Sequence, residues 1–159
     1  MPTKYDPVSL DSVDAMAKIN TEISKRRELN AILLIHGFLE AYLHQLFILE
    51  LGSIKKAPKT LKDYLKSDGL NLYSLSNILM VIKKIDDQTY KSLIKFNNTR
   101  NDYAHNLITK NIDEGNENLK RMAEDGLKLL GSIIEIYKKD IKDKSSKIFN
   151  SEWFYGRFV

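Results

Sequence analysis

The stretch "KRRELNAILLIHGFLEAYLHQLFILEL", residues 25–51, contains the longest apolar tract in the chain, around Ala31 to Leu51. Its apolar residues recur at helical spacing, and four polar residues interrupt them: His36, Glu40, His44 and Gln45. The tract therefore predicts a long core helix, with neither a membrane span nor a membrane partner. The pattern extends back to Ser9 or Asp11, either of which could cap the helix, and Gly52 is expected to end it.

The rest of the chain is also typical of helices. Only three prolines and seven glycines occur, and no run alternates like a strand. A short helix is expected after Pro58, then helices in "LYSLSNILMVIKKI", "QTYKSLIKFNNTRNDYAHNL" and "NENLKRMAEDGLKLLGSIIEIYKKDIK", with Asp86 or Asp87 capping the second of these and Asp113 the third. We predict an all-α fold: an antiparallel bundle of about five helices in two long hairpins.

One domain, residues 1–144, should contain this bundle. Residues 145–159 form a separate tail in which five aromatic residues fall close together: Phe149, Trp153, Phe154, Tyr155 and Phe158. Because such a cluster is unfavourable in water, the tail should dock on the bundle or on a dimer seam.

Composition restricts the function. There is no cysteine, so thiolate metal sites are excluded, and the N-terminus has no apolar signal segment; both favour the cytoplasm. The net charge of +4 permits contact with nucleic acid. No phosphate-binding glycine loop occurs, and His36, Glu40 and His44 span two helical turns, too far for one ion to bind both histidines. No cofactor and no metal are expected.

The stretch "FNNTRNDYAHNL", residues 96–107, carries the candidate chemistry. Its run of asparagines is unfavourable in a helix, so stability is a poor explanation for it. On a helix Asn101 and His105 lie about 40° apart, whereas Arg100 and His105 lie about 140° apart. Arg100 would have to reach round the helix to act with His105.

This segment resembles the hallmark of the HEPN superfamily, in which an arginine is followed after four to six residues by a histidine, commonly with a polar residue directly after the arginine. Here these are Arg100, Asn101 and His105. Glu40 best matches the polar residue that many members carry on the first long helix, and His36 and His44 lie one turn either side of it. The resemblance implies a small all-α bundle and a metal-independent ribonuclease, frequently a toxin or antiviral effector, acting as a homodimer whose two motifs meet in one cleft.

The residue types suit that chemistry. His105 could take the proton of an RNA 2′-hydroxyl, and Arg100 could hold the phosphate while its negative charge grows, giving a cyclic phosphate. Asn101 would orient His105 or the phosphate, and Glu40 could fix the histidine tautomer. The expected partners are RNA, a second copy of the chain and a cognate antitoxin of the nucleotidyltransferase-like kind.

Two alternatives stay open. The same residues could form a non-catalytic HEPN-like module that binds a nucleotide, an RNA or a protein partner. They could also be purely structural, with Arg100 paired to Asp102 or Glu40 and His105 donating to carbonyls at its helix end.

Overall fold

The computed structural model describes residues 12–52, 70–109 and 116–148. These residues form five helices and no strand: α1 (Ser12–Ser24), α2 (Glu28–Gly52), α3 (Leu72–Val81), α4 (Asp87–Thr109) and α5 (Glu117–Ile148). The all-α helical bundle is confirmed; the predicted end of the long helix at Gly52 depends on the residues after Gly52, which lie outside the described residues. The predicted short helix after Pro58, the cap at Asp113 and the aromatic tail lie outside the described residues.

The first long helix was predicted to be continuous, and this is wrong. The chain breaks at Arg26, which adopts a left-handed backbone conformation with φ of 55°. The amide of Arg26 donates to Ile23 O (3.0 Å) and that of Arg27 to Glu22 O (2.9 Å). This pair of bonds closes a helix C-terminus and satisfies its last carbonyls. The break lets α1 fold back on α2, and Ala15 and Ile19 of α1 are buried.

Helix α2 is the centre of the bundle and contacts α1, α3 and α5. Its residues Ile32, Ile35, Leu39 and Leu43 are almost completely buried. The length and apolar composition of α2 would suffice for a membrane span, and half of its most apolar window is buried inside the molecule. Burial against three neighbouring helices also explains why α2 is so apolar.

Side chains cap the next helices. Asn71 accepts the amide of Ser74 (2.9 Å) at the start of α3, and Asp86 accepts that of Thr89 (2.7 Å) at the start of α4. Of the two aspartates expected to cap α4, Asp86 is therefore the cap. Helix α5 begins at Glu117, later than predicted, because the carbonyl of Asn116 accepts the first helical bond, from Lys120 (3.0 Å).

An ion-pair network joins α2 to α5 through the segment that follows α3. Lys84 Nζ lies 2.8 Å from Glu50 Oε2 and 3.0 Å from Asp140 Oδ1, and Lys144 Nζ lies 2.6 Å from Glu50 Oε2. Burial alone would raise the pKa of Glu50, but the hydrogen bonds from Lys144 and Lys84 outweigh it and hold that pKa below its usual range. Lys83, which follows the C-cap of α3, has a left-handed backbone conformation with φ of 59°, and Lys84 comes directly after it.

Three helices approach most closely at Gly126 of α5. A Cβ on Gly126 would lie 2.5 Å from the ring of Phe96 on α4 and 3.2 Å from Ile35 Cγ2 on α2. Only a residue without a side chain allows this approach. The contact matters for function because it fixes the turns of α2 and α4 that carry His36 and Asn97, the next residue along in each helix.

Candidate functional site

The candidate segment lies in the C-terminal half of α4 and is helical throughout. Thr99 is one of its poor helix formers. The Thr99 hydroxyl is satisfied within the helix, because it donates to Lys95 O (2.8 Å). Leu93 and Phe96 anchor this part of the helix in the core. The polar residues after Phe96 therefore stand on a fixed element, which is what a binding or catalytic group requires.

Arg100 is half-buried and held in place by its neighbour. Its Nη1 donates to Asn101 Oδ1 over 3.0 Å. Its Nε is buried and has no hydrogen-bond partner among the described residues. No ion pair within 4 Å joins Arg100 to Asp102, Glu40 or any other carboxylate of the described segments, so the purely structural role offered for Arg100 finds no support there. A buried donor left without an acceptor is costly, and an incoming anion could satisfy it.

Helix α2 brings His36 to the same place. The side chain of Asn97 hydrogen-bonds to His36, and the charges of Arg100 on α4 and Glu40 on α2 both act on its imidazole. Because the bond to Asn97 favours the protonated ring, we infer that His36 donates and that the Asn97 oxygen accepts. We call these five residues the α2–α4 polar cluster: His36, Glu40, Asn97, Arg100 and Asn101.

The imidazole of His36 is kept neutral. Burial lowers its pKa below the ordinary value of 6.5, and the positive charge of Arg100 lowers it further. Glu40 and the bond to Asn97 act in the opposite direction but do not compensate. The cluster therefore contains one permanent cation, Arg100, beside an imidazole whose protonated form is disfavoured.

His105 lies elsewhere on the helix. His105 and Asp102 are exposed, whereas Asn101 is half-buried. Around the helix axis, His105 lies about 140° from Arg100. Within one chain the two motif residues therefore stand on different faces of α4, as their spacing predicted.

Of the four predicted site residues, the cluster contains three: Arg100, Asn101 and Glu40. Glu40 acts on the imidazole of His36. Sequence reasoning noted His36 only as a neighbour of Glu40 on α2 and gave it no part in the site. The four-residue spacing between them was the available signal, but nothing in it indicated that α4 would pack alongside.

Two other features were tested as sites. In the described parts of the chain, no group of three or more His, Asp or Glu side chains is placed to hold a metal ion.

A groove of ≈ 710 Å³ runs between α4 and α5, with Phe96 and Tyr103 on one wall and Met122 on the other. Neither Arg100 nor His105 is among its described lining residues, so the groove is separate from the α2–α4 polar cluster.

In comparison with known proteins, the chain matches no protein-family model, no curated protein and no solved structure. The described structure is an all-α bundle with a polar cluster between α2 and α4.

Proposed function

We propose that this protein is a metal-independent endoribonuclease of the HEPN type, in which Arg100 binds the phosphate and His105 transfers the proton. The observation that carries the proposal is the state of Arg100. Its guanidinium is fixed by Asn101, carries no ion pair to a described carboxylate and keeps a buried donor unsatisfied. A phosphate oxygen is an acceptor of the charge and geometry that such a group binds best.

The reaction follows from the residue types. His105, as the free base, removes the proton from the 2′-hydroxyl, and O2′ attacks the adjacent phosphorus. The bond from phosphorus to the 5′-oxygen breaks, and that oxygen takes up a proton, leaving a 2′,3′-cyclic phosphate and a 5′-hydroxyl. Arg100 stabilises the negative charge that grows on the non-bridging oxygens. Asn101 holds the guanidinium in place for that contact.

A second copy of the chain completes this site. Because Arg100 and His105 point to different sides of α4, the His105 that reaches a phosphate on Arg100 comes from the other protomer of a symmetric dimer. His105 is exposed and accessible for this role.

The proposal is tested by RNA cleavage in the presence of EDTA. Purified protein at high concentration is incubated with total or transfer RNA, alongside the variants Arg100→Ala and His105→Ala. Arg121→Ala, which removes an exposed arginine on α5, serves as the matched control. Cleavage should be lost in the two site variants and kept in the control, with unchanged circular dichroism; site variants that retain full activity would contradict the proposal.

A non-catalytic module that binds a nucleotide or RNA is the second candidate, and one observation favours it. Anion binding by the α2–α4 polar cluster needs only one chain, whereas cleavage needs His105 from another. A protein that binds RNA through Arg100, without cleaving it under any divalent-ion condition, would fit this candidate.

A further inference from the structure

The groove between α4 and α5 is lined for an apolar occupant. It measures ≈ 710 Å³, and its lining along α5 extends from Asn118 to Ser132, about 21 Å of helix. Apolar side chains line it from both helices: Phe96 from α4, and Met122 and Leu129 from α5. Aromatic rings pack favourably on other rings and on the sulfur of methionine. The lining therefore favours an aromatic segment as the occupant.

The rim of the groove is cationic. Lys95 of α4 and Arg121 and Lys128 of α5 are exposed, and Asp125 is the one acid among the described lining residues. Within 4 Å, none of the three cations forms an ion pair with a carboxylate of the described segments. Cations attract both carboxylates and the faces of aromatic rings. The rim thus adds a preference for an aromatic segment that carries an acid.

The aromatic tail, residues 145–159, is the segment of this chain with that chemistry. Its five aromatic residues all follow Ile148, the last residue of α5. Glu152 directly precedes Trp153, the only tryptophan in the chain, so a carboxylate and the largest ring are adjacent. Such a cluster is unfavourable in water and needs a surface that covers it. The groove offers an apolar lining for the rings and cations for Glu152.

The distance along α5 decides which copy's tail can fill the groove. At about 1.5 Å per residue, Ile148 lies about 24 Å beyond Ser132, where the lining along α5 ends. An extended chain spans at most about 3.6 Å per residue, so Trp153 can return from Ile148 by no more than about 18 Å. Trp153 therefore cannot reach the groove of its own chain, whereas the tail of a second copy has no such restriction.

We propose that the groove between α4 and α5 binds the aromatic tail of a second copy of the chain, with Trp153 on the apolar lining and Glu152 beside the cationic rim. Because each copy has one tail and one groove, mutual exchange of tails closes a symmetric dimer. The inference concerns how two copies associate. It makes no use of Arg100 or His105 and does not depend on RNA cleavage.

Trp153 makes the test specific, because its fluorescence reports only on the surroundings of this one residue. Full-length wild type is compared with Ser92→Arg, which places a long charged side chain in the groove from an exposed position on α4. Asn98→Arg, at an exposed position on α4 outside the lining, is the matched control. Sedimentation gives the oligomeric state of each protein, and circular dichroism checks its fold.

Wild type and Asn98→Arg should be dimers with blue-shifted emission, and Ser92→Arg should be a monomer with red-shifted emission that acrylamide quenches severalfold more strongly. Adding Trp153→Ala chains, which have no tryptophan but an intact groove, should shift the emission of Ser92→Arg to the blue. A monomeric wild type, blue-shifted emission in Ser92→Arg alone, or no response to Trp153→Ala chains overturns the inference.

Discussion

His36 on α2 and Arg100 on α4 influence each other across the bundle: the guanidinium lowers the pKa of an imidazole that burial has already lowered. Ile35 and Phe96, the residues just before His36 and Asn97, both pack closely against Gly126 of α5. This packing holds the two helices together. Core packing and site geometry are thus determined by consecutive residues on each helix.

The lowered pKa of His36 makes the folded protein sensitive to mild acid. Between the lowered folded value and the ordinary value of 6.5, the unfolded chain binds more protons at this residue than the folded chain. Its contribution to stability is therefore fully present above about pH 6.5 and is lost as the pH falls below it. Urea unfolding from pH 5 to 8 should show a shallower slope for His36→Gln than for the wild type. Parallel curves for the two proteins would rule out the coupling.

A side chain at Gly126 should disturb both the core and the site. Gly126→Ala places a methyl 2.5 Å from the Phe96 ring, so we expect a loss of about 1–3 kcal/mol and a shift of the adjoining Asn97. Gly131→Ala is the control, because its Cβ would meet nothing within 4 Å, and better helix propensity should stabilise it by about 0.5–1 kcal/mol. Thermal unfolding of both variants checks the contrast, and equal effects would contradict it.

The two left-handed helix ends should be improved by glycine. Arg26 and Lys83 are exposed residues with positive φ, a conformation that costs any residue with a Cβ. Replacing either with glycine should raise the free energy of unfolding by about 0.5–1 kcal/mol, the strain relieved less the extra entropy of the unfolded chain. Lys139→Gly, at an exposed position inside α5, should instead lose about 1 kcal/mol. Destabilisation in all three variants would show that these ends are unstrained.

The different faces of Arg100 and His105 predict complementation between inactive chains. In a mixed dimer of Arg100→Ala with His105→Ala, one of the two shared sites combines an intact arginine with an intact histidine. After random exchange between symmetric dimers, mixing the two variants should restore about a quarter of wild-type cleavage. A mixture as inactive as its components, despite confirmed subunit exchange, would mean that both residues act from one chain.

Much of the fold could be predicted because its signals are local. Helical periodicity indicated the all-α class, and Asp86 caps α4 as its chemistry suggests. The break at Arg26 was missed because the residue in the left-handed position is not glycine.

The site was only partly predictable, for a different reason. Arg100 and Asn101 belong to a motif that can be recognised within one segment, and the resemblance pointed to Glu40, whereas the part played by His36 depends on how α2 packs beside α4. That packing is determined by distant residues such as Gly126. A polar residue with no local signal can therefore belong to a site that only the tertiary structure assembles.

The most direct test of the account is the chemistry of the RNA ends produced in EDTA. Wild-type protein should generate 2′,3′-cyclic phosphate and 5′-hydroxyl ends, and Arg100→Ala should generate neither while keeping its helical content. Intact RNA after prolonged incubation with the wild type, or 5′-phosphate ends that form only when a divalent ion is added, would contradict it.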